Sequence, residues 1–374
     1  MRATADAPGS AIAGDEALAL ASELLQLARA HGELPASIDE LDERRLCAEL
    51  AAVIRAWSAG EGRSARLFRL GAEGALLLGM AALPRLPLAA ACRIAANAAL
   101  AAVSGAGVRP ALLLAAAGAL LTEEEAAALL AAVGADTPSA LHRLPASCLD
   151  SLVLALAHQP AARFGWRGAL PGDRLILSQA LGGGILLDAW RSGELASEAR
   201  EALLGELTQP PTAGPVLACM EHVHAQSVAS ERGLLGALLE LCSDAPASVG
   251  ARIDLAALPV LHGAPEHLAA SPALGSAARR NLDRDAASLR QDTDVLVAHQ
   301  ATPARELARL LVADPVPGGG LLVCCSPESV TEVLATLLEL DFGHASLIGE
   351  VVAGERRVQL VAQRLAGEET EAGR

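Results

Sequence analysis

Between residues 15 and 30 apolar side chains recur at helical spacing, as Leu18, Ala21, Leu24, Leu25 and Ala28, and a second amphipathic stretch runs from about Ile38 to Ala56. Such spacing places the apolar positions on one stripe, so two helices with one buried face each are predicted. Asp15 is the expected N-cap of the first. Ser37, with Glu40 three residues on, has capping-box spacing for the second. Gly60-Glu61-Gly62 breaks the pattern. Two short apolar runs at 66–70 and 75–78, joined by a Gly-Ala-Glu-Gly turn, then read as a strand pair. Helices are predicted at about 87–104 and 122–133. The latter opens at Thr122, with Glu123, Glu124 and Glu125 as a solvated first turn where carboxylates suit the helix dipole. Residues 111–121 fit strand and helix equally well by periodicity. Residues 151–157 read as a strand and 160–171 as a linker.

The second half alternates more regularly. Strands are predicted at 174–178, 321–325, 345–352 and 358–361, and helices at 184–192, 197–207, 233–242 and from a Ser326 cap to about 340. Alternation of this kind implies an α/β or α+β domain. Gly182-Gly183-Gly184 ahead of a helix can present amides to an anion, or can simply make a tight strand-to-helix turn. Gly318-Gly319-Gly320 carries the same two readings. His222 and His224, two apart, offer a metal pair only if a third ligand joins them, and the scaffold reading is preferred. Cys324 and Cys325, adjacent on a predicted strand, point to opposite faces and read as structural thiols.

Composition narrows the chemistry. The chain has 374 residues, room for two cores, with 52% hydrophobic but only 2% aromatic residues, so Ala, Leu, Val and Ile must build those cores by close packing. All 29 basic residues are Arg, which excludes a Walker lysine, a Schiff base and a lysine general base. A net charge of −15 without a basic run, and few aromatics, argue against nucleic acid as a partner. Seven scattered Cys with no C-x-x-C pair suggest neither a disulfide framework nor a zinc knuckle. The apolar runs at 75–83 and 111–121 are too short to span a bilayer, and no apolar leader precedes Asp15. A cytoplasmic protein with no membrane association is expected.

Six phrases in the second half then acquire a joint meaning. They are Gly172-Asp173-Arg174-Leu175-Ile176-Leu177, Leu181-Gly182-Gly183-Gly184-Ile185-Leu186, Gly233-Leu234-Leu235-Gly236, Val249-Gly250-Ala251-Arg252-Ile253-Asp254-Leu255, Arg279-Arg280-Asn281-Leu282, and Asp314-Pro315-Val316-Pro317-Gly318-Gly319-Gly320-Leu321-Leu322. In this order and spacing they resemble selenophosphate synthetase (selenide, water dikinase), within the aminoimidazole ribonucleotide synthetase-like (PurM-like) superfamily. The resemblance covers roughly residues 62–362. It implies a two-domain α/β (α+β) fold, whose N-terminal domain dimerises and holds ATP with magnesium. The expected divisions are a helical extension over 1–60, an N-terminal domain over 61–169, a C-terminal domain over 170–366 and a disordered tail over 367–374.

The same resemblance exposes what is absent. The helix phrase that carries a metal-binding Asp in the family is recognisable at residues 97–110, but that Asp falls on Ala102 and the family's Asn on Ala98, with Asn97 one residue away. Paired aspartates fall near Arg63-Ser64, another Asp on or near Gly79, and a further one on Val228. No Asp occurs between Asp42 and Asp136, so slippage of the alignment restores none of the first-half acids. The family's Cys with a nearby Lys has no counterpart, since Cys47 lies in a helical pattern and Lys is absent.

Magnesium takes oxygen ligands, and Ala, Gly, Val and Arg supply none from their side chains. The magnesium site implied for the family is therefore expected to be lost, and no catalytic or metal-ligating residue is assigned. Arg63, Arg66, Asn97, Gly182, Gly183, Gly184, Gly318, Gly319 and Gly320 remain as candidate nucleotide or anion contacts. The expected protein is a catalytically deficient homologue acting as a scaffold, regulator or nucleotide binder. The alternatives are an active ATP-dependent phosphotransferase on another small substrate and a genuine dikinase. The resemblance implies a homodimer, or a heterodimer with an intact homologue.

Overall fold

A computed structural model describes residues 12–58, 65–118, 121–132, 137–144, 151–159, 168–291 and 302–361. Arg63, the expected tail over 367–374 and most of the expected linker lie outside them. The chain forms two compact units, Met1–Gly165 with Leu207–Pro211, and Trp166–Glu206 with Thr212–Arg374.

The first unit is built on a five-stranded sheet in the order β1-β2-β5-β3-β4. Its strands are Ala65–Arg69, Ala75–Ala82, Leu112–Ala117, Ser139–Arg143 and Leu152–Gln159, numbered β1 to β5 along the chain. All pairings are antiparallel except β3 with β4. Its helices are α1 (Gly14–Ala30), α2 (Glu40–Ser58), α3 (Leu88–Ser104) and α4 (Glu123–Ala132).

Alternation along the strands sorts two different cores. Leu76, Leu78 and Met80 of β2, Leu112 and Leu114 of β3, and Leu152, Leu154 and Leu156 of β5 join the buried faces of α1 and α2. The intervening residues, Leu77, Ala81, Leu113, Ala115, Val153, Ala155 and Ala157, pack on α3 through Ala95, Ala96, Ala99 and Val103. Residues 112–117 were ambiguous from sequence because both faces of β3 are buried, which removes the polar alternation that marks a half-exposed strand.

The helix starts differ in part from expectation. α1 is capped at Ala13, whose amide donates to Glu16 Oε2, so Asp15 lies inside the first turn. α2 starts after Asp39, whose Oδ1 accepts from the amides of Leu41 and Asp42, at 2.9 and 2.8 Å; the cap is Asp39 rather than Ser37. A carboxylate aimed at free helix amides displaces the proposed serine box. At α4 the expected start holds: the Thr122 amide donates to Glu125 Oε2 and the Glu125 amide to Thr122 Oγ1.

The second unit holds a seven-stranded mixed sheet in the order β7-β10-β6-β11-β8-β12-β9. In chain order these strands are β6 (Arg174–Leu177), β7 (Val223–Val228), β8 (Val249–Asp254), β9 (Leu289–Gln291), β10 (Leu321–Cys325), β11 (Ser346–Ala353) and β12 (Val358–Val361). Its helices are α5 (Gly183–Arg191), α6 (Ser197–Leu207), α7 (Ala213–Leu217), α8 (Gly233–Asp244), α9 (Ala264–Ala270), α10 (Ser276–Asp285), α11 (Thr302–Val312) and α12 (Val330–Glu339). A 3-10 turn, Pro327–Ser329, intervenes after Ser326, so α12 itself begins later than the expected Ser326 cap. Among the described residues, no helix is long and apolar enough to cross a membrane.

The capping assignment is checked by substitution. Asp39→Ala is expected to lower stability by about 1 kcal/mol in urea unfolding, while Ser37→Ala leaves the midpoint nearly unchanged.

Candidate functional site

In the first unit, two of the positions that the resemblance associates with metal acids, Gly79 and Ala102, come together. β2 runs beneath α3, and a Cβ placed on Gly79 would lie 2.3 Å from the carbonyl oxygen of Ala99, 3.1 Å from the Cβ of Ala102 and 3.1 Å from Val103 Cγ2. Ala102 is itself buried. Gly79 and Ala102 thus face each other across a contact with no room for a side chain on the glycine. Neither residue has a side-chain oxygen, so the residues present here do not fit magnesium.

Asn97 lies on α3 and is buried, with its Nδ2 donating to the carbonyl of Leu207 at 2.9 Å. Two more α3 side chains engage the segment that follows: Arg93 Nη2 donates to Thr208 Oγ1 at 3.0 Å, and the Ser104 hydroxyl donates to the Pro211 carbonyl. The amide donors of a buried Asn must be satisfied, and here a backbone carbonyl of the same chain does so. Arg66 is exposed on the edge strand β1 and is not gathered with Asn97 by any described contact.

In the second unit, the two glycine triplets belong to neighbouring loops. Gly182 caps α5 with φ +99°, a left-handed conformation that favours glycine. The amides of Gly184 and Ile185 donate to one oxygen of Asp314, Oδ2, at 2.9 and 3.2 Å. Of the amides this turn could offer an anion, those of Gly184 and Ile185 are engaged by a carboxyl group of the same chain. A Cβ on Gly184 would come within 2.2 Å of the Pro315 carbonyl, which explains why this turn needs glycine.

Gly318 has φ +64°, and a Cβ on Gly319 would reach 2.0 Å from the Ala229 carbonyl. Gly320 sits against the Gln179 backbone, and its carbonyl accepts from the Ala229 amide. This triplet lets three backbones pass close together. Asn281 adds a further tie, donating from Nδ2 to the carbonyls of Glu231 and Ala313.

A buried polar cluster also escaped sequence reasoning. His224 Nδ1 on β7 lies 3.0 Å from both carboxylate oxygens of Asp173, which precedes β6. The Cys324 thiol on β10 donates to Asp173 Oδ2 at 3.1 Å, and the Leu170 amide donates to the same oxygen at 2.8 Å. Burial, reinforced by the Asp173 charge, holds the Cys324 thiol far above the usual thiol range; the same causes, with Glu328, push Cys325 up to about 12. Such thiols stay protonated and are not nucleophiles. Spacing in the sequence carries no signal for this trio, because three strands distant in sequence bring it together.

The family model described as AIR synthase related protein, C-terminal domain, matches residues 171–361, more than half of the chain. The chain belongs to the AIR synthase related family.

Among curated proteins it is similar to the selenide, water dikinase of Dechloromonas aromatica, at 38% identity over 194 residues, covering 52% of each chain. The enzyme of the same name from Paraburkholderia xenovorans is 37% identical over 195 residues, covering 52% of this chain and 51% of that one. The chain thus spans about half the length of the curated relatives it matches. Resemblance to selenophosphate synthetases within the PurM-like superfamily is established on these matches.

Solved structures share the fold. Thiamine-monophosphate kinase from Stenotrophomonas maltophilia superposes with a TM-score of 0.55 at 19% identity, covering 80% of this chain and 92% of that one. A hydrogenase maturation protein HypE gives 0.54 at 16% identity, covering 83% and 94%. The fold is a PurM-like α/β fold.

The buried carboxyl at α5 yields a pH test. Burial pushes Asp314 up to about 8, against the pull of the Ile185 and Gly184 amides and with a further push from Asp188. In the unfolded chain an Asp ionises near pH 4, about four pH units lower. The contribution of this group to stability is therefore present in full below about pH 4 and is lost as pH rises through about 8. Asp314→Asn keeps an oxygen for both amides without the charge, and is expected to flatten stability over that interval in urea titrations. Asp314→Ala strands two buried amides and is expected to cost on the order of 2 kcal/mol at neutral pH.

Proposed function

We propose that this protein is a selenophosphate synthetase homologue that does not carry out the dikinase reaction and serves instead as a scaffold, regulator or binder of a nucleotide or small anion. The closed contact between Gly79 and Ala102 carries this reading. Phosphoryl transfer from ATP depends on positioned divalent metal between phosphate oxygens, held by carboxylates. Here one of the two positions has no side chain and the other a methyl group, with α3 packed down onto the strand. The tight packing argues against simple recovery of the site by a shifted neighbour, because such a neighbour would have to displace the Ala99 carbonyl.

Any nucleotide contact is confined by what the candidates already do. Asn97 and the Gly184 amide have partners within the chain, whereas Arg66 is exposed on β1. Binding without turnover, through arginine on phosphate oxygens, is the form of ATP recognition these residues support. The homodimer and the heterodimer with an intact homologue that the resemblance implies belong to this proposal as well. So does a cytoplasmic location.

The test is an assay of purified protein with ATP, magnesium and selenide, following nucleotide binding, AMP and selenophosphate together. The expected result is no magnesium-dependent AMP formation. Steady release of AMP and selenophosphate would establish a genuine dikinase, and AMP or ADP formed only with another acceptor would establish a diverged phosphotransferase. Gly79→Asp with Ala102→Asp is expected to lower stability by more than 1–3 kcal/mol through overpacking, roughly the cost of inserting extra atoms into a filled core, without restoring activity.

A further inference from the structure

One transverse row of the second unit's sheet is charged. Direct partners across four neighbouring strands are Arg174 on β6, Glu350 on β11, Arg252 on β8 and Gln359 on β12. Directly opposed residues project to the same face, so these four side chains share one side of the sheet. The partner of Arg174 on its other flank, Cys325 on β10, is buried in the core that Val333 and Leu337 of α12 close over. The row thus begins where that cover ends. The alternate positions Val351, Ile253 and Leu360 are buried on the opposite face.

The charged positions stay open to solvent. Arg252 keeps 44% of its side chain exposed, and Arg174 and Glu350 keep 25% and 21%. Gln359 is also partly exposed. Glu350 stands between two guanidinium groups: its Oε2 accepts from Arg174 Nη1, and its Oε1 accepts from Arg252 Nη1 at 3.0 Å. Each arginine has five N–H donors, and among the described contacts each commits a single nitrogen here. Both carboxylate oxygens are used, so the row offers donors outward and carries one net positive charge. That sign opposes the chain's net charge of −15.

We infer that this row is a docking surface for an acidic segment of a partner protein. Charge complementarity selects the occupant: guanidinium groups recognise carboxylates through paired N–H donors, and like charge disfavours a second copy presenting the same row. From β6 to β12 the row crosses three strand spacings, about 14 Å, on an open sheet face. Small ligands take concave sites, whereas an extended surface fits a length of polypeptide. The surface uses none of the candidate nucleotide contacts, so it stands or falls separately from the dikinase assay.

The experiment is fluorescence anisotropy of a labelled decaglutamate peptide titrated with the full chain at low and high salt. Saturable binding that weakens with salt is expected, with a loss of about tenfold in affinity for Arg174→Gln/Arg252→Gln. Arg356→Gln, at an exposed arginine of the β11–β12 turn that donates to Ser243 instead, is expected to change nothing. Glu350→Gln removes the acid that competes with the partner's carboxylates and is expected to tighten binding severalfold, where a merely structural ladder would loosen it. No binding at millimolar peptide, an equal loss for Arg356→Gln, or weaker binding by Glu350→Gln would overturn the inference. Displacement of the peptide by inorganic triphosphate at equal charge would also overturn it, in favour of a small-anion site. Binding that emerges only in Glu368→Gln/Glu369→Gln/Glu371→Gln would overturn it in favour of the chain's own acids. Circular dichroism checks the fold of each variant, and should the double arginine variant unfold, Glu350→Gln and the salt dependence decide.

Discussion

Helix α3 lies so close to strand β2 that Gly79 can carry only hydrogen, and much of the first unit follows from that approach. A chain with 2% aromatic residues cannot fill wide gaps between layers, so its helices must come near the sheet through alanine and glycine. α3 does this with Ala95, Ala96 and Ala99 against Leu113, Ala115, Val153 and Ala155. The sheet then presents alanines interspersed with Leu77, Leu113 and Val153 to α3, and mostly leucines to α1 and α2. The same closeness leaves no room for a side chain at Gly79, because a Cβ there would meet the Ala99 carbonyl. Any larger residue at that position would have to loosen the helix.

The second unit is organised around buried carboxyl groups rather than glycine contacts alone. Asp314 accepts from the amides at the start of α5, and Asp173 gathers an imidazole and a thiol from neighbouring strands and the backbone amide of Leu170. Each carboxyl satisfies donors that would be costly to bury alone. The residues around them are those of the family phrases. Gly184 admits the Pro315 carbonyl, and Gly319 admits that of Ala229. Of the two readings each glycine triplet carried, anion contact or a tight turn, the contacts of Gly184 with Pro315 and Asp314 and of Gly319 with Ala229 describe loops that hold one another.

The legible part of the fold was the part written in local pattern. Helical spacing located α1, α2, α3 and α5 to within a few residues, and the Thr122 start of α4 was readable because capping uses adjacent residues. Strand β3 stayed ambiguous because burial on both faces erases alternation. The strands β4, β7, β8 and β9 and the helices α7 and α9 are short, and their stability comes from neighbours distant in sequence, whereas α10 and α11 are amphipathic and their spacing was legible but not read. The Asp39 cap was missed for a related reason: two acceptable caps stood two residues apart, and only the backbone path chose between them.

For the candidate site, sequence alone determined the residue types at the family positions, the absence of lysine, and so the lack of a side-chain oxygen at Gly79, Ala102 and Val228. These are statements about composition at a position and need no coordinates. Tertiary structure alone decided that Gly79 and Ala102 touch, that Asn97 is committed to the Leu207 carbonyl, and that the Gly184 amide already faces Asp314. The reason is physical. A residue's chemistry is local to it, but whether that chemistry is available depends on partners 110 and 130 residues away, and those are set only when the chain packs.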